Sequence, residues 1–88
     1  MKFQLYFIES MVKDFVYTGI TSDINKRLIK HNNGSTISTK KYKPYRVIYL
    51  EQFESKTEAL KRELYFKSPK GYLEKKRIIE NYRGVEQR

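Results

Sequence analysis

The chain contains no cysteine and no tryptophan, and only one histidine, two prolines and four glycines among 88 residues. Without cysteine there is no disulfide framework and no thiolate metal site, which suits a reducing cytoplasm as the expected location. Long apolar runs are missing too. The opening KFQLYFI is too short, and too soon interrupted by Glu9, to serve as a signal peptide or a membrane span. No internal repeat, low-complexity segment or linker breaks the chain, so one small domain is expected over residues 1–82, with a frayed tail over 83–88. Acidic residues are scarce as well: 10 stand against 19 Lys and Arg, for a formal charge of +9.

That charge on so short a chain points to a polyanionic partner, with nucleic acid favoured over a merely basic soluble protein. A membrane surface fits less well, because no helix sets a strong apolar face against a purely basic one. What is plentiful is aromatic area. Eight Tyr and five Phe supply much of a modest core.

Phe3, Leu5 and Phe7 alternate with Gln4, Tyr6 and Ile8. Both sets are largely apolar, so this first strand reads as central and covered on both faces. A short polar connection leads to a second strand, Phe15 to Ile20, paired antiparallel with the first. Tyr6 and Tyr17 then fall near each other. Gly19 closes the strand where the backbone turns tightly or something approaches closely. Thr21, Ser22 and Asp23 are candidate N-caps for a helix from Ile24 to Asn32, stopped by Asn33-Gly34.

At about 100° per residue, Ile24, Arg27, Leu28 and His31 share one arc of roughly 100°. An arginine and a histidine beside Ile and Leu suit a cleft, and arginine suits phosphate. The loop from Ser35 to Pro44 carries Lys40, Lys41 and Lys43 with Tyr42 interleaved. With Arg46 just beyond, it is a candidate nucleic-acid contact or simply a solvated basic loop. A third strand, Tyr45 to Phe53, is expected to place Val47 and Tyr49 on one face and Ile48 and Leu50 on the other. Ser55 to Glu58 fits a capping box. The helix that follows defines an apolar arc of roughly 160° from Ala59, Leu60, Leu64 and Phe66. Glu63 lies near the middle of that arc, while Lys61 and Arg62 point elsewhere. A carboxylate there needs a cation, either a metal or a basic side chain. Ser68-Pro69 starts a third helix, packed through Tyr72, Ile78, Ile79 and Tyr82. The order ββαβαα gives an α+β fold: a three-stranded antiparallel sheet flanked by three helices.

These residues resemble the GIY-YIG nuclease superfamily, in particular its small stand-alone bacterial group related to an excision-repair nuclease domain. The likeness runs from about Leu5 to Tyr82. The first signature is Gln4-Leu5-Tyr6 and the second Tyr17-Thr18-Gly19. The family arginine matches Arg27, a histidine usual in the group matches His31, and the metal-binding glutamate matches Glu63. Thr39 and Pro44 also sit where small members have them. The family's downstream asparagine has no assigned match: Asn81 is available but lies far along the third helix, and the role is not carried over to it.

The resemblance implies metal-dependent hydrolysis of DNA phosphodiesters. Glu63 would hold a single Mg²⁺ or Mn²⁺, Arg27 would contact the scissile phosphate, and Tyr17 would orient water or a phosphate oxygen. Tyr6 or His31 would serve as general base, and the residues do not choose between them. Blander roles stand beside these: strand tyrosines filling a core edge, an Arg27–Glu63 ion pair, His31 capping a helix. A catalytically silent nucleic-acid-binding module and a small basic structural protein are the rival functions. With no appended targeting domain, structure-directed cutting of branched DNA or a targeting partner protein is expected.

Overall fold

Strand β1 (Phe3–Ser10) is the middle of a three-stranded antiparallel sheet, with β2 (Val16–Thr21) and β3 (Tyr45–Phe53) on either side in the order β2-β1-β3. The computed structural model describes residues 2–86. Helices α1 (Ile24–Asn32), α2 (Lys56–Lys67) and α3 (Pro69–Glu86) complete the α+β fold, and a short 3₁₀ turn spans Lys40–Tyr42. No helix among the described residues is long and apolar enough to cross a membrane.

The two apolar sets of β1 build two separate cores. Leu5 and Phe7 pack with Phe66 of α2 on one face; Tyr6 and Ile8 pack with Tyr45 on the other, against Ile24 and Leu28 of α1. All four β1 side chains are fully buried, and each contributes about 1.5–3 kcal/mol by leaving water. The caps fall where the sequence places them. The Asp23 carboxylate accepts from the Lys26 N–H at 3.1 Å, and the Ser55 hydroxyl accepts from the Glu58 N–H at 3.2 Å.

Four expectations are corrected. In β3 a bulge opposite Phe7/Ile8 changes the alternation: Phe7 pairs with Tyr49 but Ile8 with Val47. Ile48 is the extra residue, so Val47 faces the Tyr6 core while Ile48 and Tyr49 face the Phe7 core. In α2, Leu60 and Leu64 are largely exposed. The sheet-facing side is instead Ala59, Arg62, Glu63 and Phe66, because Arg62 turns inward to meet two carboxylates. Its Nε and Nη2 donate to the two oxygens of Glu51 at 2.8 and 2.9 Å, and Nη2 also donates to Glu74 of α3 at 2.7 Å. Its guanidinium lies 4.4 Å from the Phe66 ring centroid. This one side chain ties β3, α2 and α3 together.

In α3, Tyr72 is exposed while Ile78 and Ile79 pack on the Phe7 core. The close corner between α2 and α3 turns the helix that way: a Cβ on Gly71 would lie 1.8 Å from the Tyr65 carbonyl oxygen. Finally, α3 runs on to Glu86 where a tail from Arg83 was expected. Arg83 anchors it by donating to Glu9 at 2.8 Å and Asp14 at 2.9 Å. Residues 87 and 88 of that expected tail lie outside the described residues.

Candidate active site

Tyr6, Tyr17, Arg27 and His31 meet on the α1 face of the sheet, whereas Glu63 comes from α2, which packs through Phe66 on the other face. Antiparallel register sets Tyr6 directly opposite Gly19, and Ile8 opposite Tyr17. Gly19 is therefore inside β2 and makes no turn, which corrects the expected turn role. Its use is close approach: a Cβ there would lie 2.5 Å from the Tyr6 hydroxyl and 2.7 Å from Cζ. The missing side chain is the space the phenol occupies. Tyr17 stands beside it, with ring centroids 6.4 Å apart.

From α1, His31 is driven inward on the same arc as the partly buried Ile24 and Leu28, and it is itself fully buried. Its Nε2 lies 2.8 Å from the Tyr6 hydroxyl, and its Nδ1 lies 2.6 Å from the Thr39 hydroxyl. The Tyr17 ring is 5.3 Å from the imidazole. Arg27, one turn earlier, is half-buried, and its Nε is buried with no hydrogen-bond partner among the described residues. An unpaired buried donor on a cation is costly unless an anion completes it. Among the described residues Arg27 and Glu63 form no ion pair; the Glu63 carboxylate meets Lys67 instead, at 3.8 Å. Glu63 is nonetheless close enough for its charge to act on Tyr6.

These neighbours set the protonation states. Burial raises the Tyr6 phenol above its usual range; the adjacent Arg27 guanidinium offsets this in part, while Tyr17 and Glu63 add to the rise. Burial, and then the Arg27 charge, hold the His31 imidazole below its usual range. At neutral pH the pair is thus a neutral phenol against a neutral imidazole.

A family model described as the GIY-YIG catalytic domain matches residues 2–77. The chain belongs to the GIY-YIG family. UPF0213 proteins of Staphylococcus saprophyticus and Staphylococcus epidermidis are 50% and 46% identical to it over 54 residues, covering 60% of this chain and 66% of theirs. The match thus spans slightly under two thirds of the length of those relatives. The solution NMR structure of a UPF0213 protein from Bacillus halodurans is similar with a TM-score of 0.53 and 29% identity, over 91% of this chain and 84% of that one. Membership assigns the chain to a nuclease-type domain family. In this GIY-YIG domain the two signature tripeptides, Gln4-Leu5-Tyr6 and Tyr17-Thr18-Gly19, lie on adjacent strands and meet where Tyr6 pairs with Gly19.

Not every candidate reaches the site. Lys40, Lys41 and Lys43 are exposed on the loop after α1. Tyr42 packs its ring against Phe15, centroids 5.4 Å apart, so the ring serves the fold instead of standing free for stacking. Arg46 lies 3.4 Å from Glu9 and sits over the Tyr82 ring. Two contributors escaped the sequence patterns. Gln4 holds the start of α1 by accepting from the Ile24 N–H at 3.0 Å. Thr39, noted only for its position in small relatives, touches the histidine directly. A threonine within a basic loop carries no periodicity that could have marked it.

Proposed function

We propose that this chain is a metal-dependent endonuclease that hydrolyses DNA phosphodiesters, with Tyr6 and His31 acting together as the base. The observation that carries this reading is the buried Tyr6–His31 contact at 2.8 Å beside an arginine whose Nε has no hydrogen-bond partner among the described residues. Arg27 binds the scissile phosphate, and the phosphate supplies the missing acceptor as its charge grows in the transition state. The attacking water gives a proton to the Tyr6 oxygen as the phenol proton passes to His31 Nε2. Tyr6 then never carries a full phenolate charge, and the proton ends on His31 as an imidazolium. A raised phenol does not ionise by itself near neutrality, and a lowered imidazole is unprotonated and ready to accept. Tyr17 orients the water or a phosphate oxygen. Lys40, Lys41 and Lys43 follow the neighbouring backbone.

Glu63 would hold a single Mg²⁺ or Mn²⁺. No cluster of three or more His, Asp or Glu among the described residues competes for that part. One carboxylate fits Mg²⁺, which keeps most of its waters and takes one or two protein carboxylates. The Glu63 side chain is 15% exposed, and its cationic neighbour Lys67, at 61% exposure, is free to yield to the ion. When bound, the ion supplies positive charge against the leaving 3′ oxygen.

The test is a cleavage assay on single-stranded, duplex, flap and junction DNA with Mg²⁺ or Mn²⁺, run beside Glu63→Ala. The wild type should cut, and Glu63→Ala should bind without cutting. Salt-sensitive binding with no cleavage by the wild type would instead favour a silent nucleic-acid-binding module.

A further inference from the structure

We propose that Thr39 is a positioning residue that locks His31 in its Nδ1–H form, leaving Nε2 as the acceptor behind Tyr6. This rests on the reading that Tyr6 and His31 act together on water. A free imidazole in water prefers the opposite tautomer, with the proton on Nε2, so something in the fold has to select this one.

The selection follows from counting donors and acceptors around each atom. The Tyr6 hydroxyl lies beside the Arg27 guanidinium, which has only N–H groups to offer. The phenol therefore needs an acceptor for its own proton, and His31 Nε2 at 2.8 Å provides it. That leaves the ring proton on Nδ1, donating to the Thr39 oxygen at 2.6 Å. Thr39 can accept because its own proton has an outlet: its hydroxyl donates to the Thr36 carbonyl at 3.5 Å. The chain of donors then runs in one direction, from Tyr6 to His31 to Thr39 to Thr36. When Nε2 takes the phenol proton, the imidazolium keeps a partner on each nitrogen, so the step needs no rearrangement.

Thr39 is also held as a positioning group should be. It is fully buried, its carbonyl accepts from the Tyr45 hydroxyl at 2.8 Å, and its N–H donates to the Thr36 carbonyl at 3.2 Å. Removing its hydroxyl while keeping its shape leaves the Nδ1 proton unpaired in a dry site. The ring then gains by moving its proton to Nε2, which reverses the bond to Tyr6 and blocks the relay.

Because the chain has one histidine, the experiment is direct. Long-range ¹H–¹⁵N NMR of uniformly labelled protein reads the His31 tautomer without any assignment ambiguity, in the wild type, Thr39→Val and Thr39→Ser. The wild type and Thr39→Ser should show a protonated Nδ1 and a bare Nε2. Thr39→Val should shift toward the Nε2–H form, and its kcat on DNA should fall on the order of 10²-fold with KM within about two-fold. Thr39→Ser should recover most of that loss. A wild-type ring protonated on Nε2 overturns the proposal even if the protein cuts DNA. So does a Thr39→Val protein that keeps both the tautomer and the rate. If Thr39→Val does not fold, the wild-type and Thr39→Ser spectra still decide. Should the wild type cut nothing, the tautomer stands or falls on its own, separately from the nuclease reading.

Discussion

Adding one methyl group at Gly19 tests whether the phenol's place over that residue underlies both the fold and the site. In Gly19→Ala the new Cβ would lie 2.5 Å from the Tyr6 hydroxyl, 2.7 Å from Cζ and 3.0 Å from Cε2 of Tyr17. Tyr6 cannot swing clear, because it is fully buried and backed by the His31 ring. Overpacking of this kind costs about 1–3 kcal/mol. Displacing the hydroxyl from His31 adds about 1–3 kcal/mol for a broken buried hydrogen bond. The smaller entropy of the unfolded alanine chain returns only about 0.4–1 kcal/mol. The net loss is then about 1–5.5 kcal/mol, centred near 3, and at that centre a domain of this size loses roughly 12–24 °C in Tm.

Cleavage at a temperature where the variant remains folded should fall on the order of 10²-fold, since a shift of about 1 Å at a reacting group costs that much. Circular-dichroism melts and plasmid nicking read the two effects. A second substitution sharpens the test. Tyr6→Phe removes the oxygen at 2.5 Å but keeps the ring carbon at 2.7 Å. Gly19→Ala should therefore cost about 1 kcal/mol less in a Tyr6→Phe background. A Gly19→Ala protein that melts within about 3 °C of the wild type and cuts normally would refute the reasoning.

Arg62→Met should destabilise the domain by about 2–3 kcal/mol, below the full cost of orphaning buried charges because these groups are partly solvated. It should also change the pH dependence. Burial acts to raise the Glu51 carboxyl, but hydrogen bonds from Arg62 and Tyr49 and the Arg62 charge outweigh it and hold it below the usual range. Wild-type stability from this group is present above the ordinary carboxylate pKa and is lost as pH falls through the lowered one; urea midpoints from pH 7 down to 3 should show the loss, and Arg62→Met should flatten it. Replacing Lys40, Lys41 and Lys43 together with Ala should leave Tm nearly unchanged, as all three are exposed. The slope of log affinity for DNA against log salt should fall by about 2–3, close to one per lost phosphate contact; an unchanged slope in an anisotropy titration would place the backbone elsewhere.

How much of this was legible follows from what each residue depends on. β1 could be read from its apolar run because a doubly covered strand needs one. The α1 arc could be read because helical phase is local, and it put Arg27 and His31 on the correct side. The bulge at Ile48 could not, since it is a property of two strands paired, and nothing within Tyr45 to Phe53 announces it. Arg62 was misplaced because a helical wheel weighs hydropathy alone. Its inward turn depends on Glu51 and Glu74, brought near only by the fold. Gly19 was expected to make a turn or to permit close approach; it lies inside β2, and the atom that approaches comes from the opposite strand. Thr39 meets His31, eight residues away on another element, and no local pattern marks that contact.

The strand at the centre of the sheet carries an inheritance constraint. Neighbouring residues Tyr6 and Phe7 serve opposite sides, one hydrogen-bonded to His31 and the other packed edge-on against Phe66. An insertion or deletion of a single codon between Gln4 and Ile8 would exchange the two, hiding the phenol among hydrocarbon and offering phenyl to the imidazole. A change of length is cheaper in the exposed segment from Met11 to Asp14, where the reading frame of the faces is not at stake.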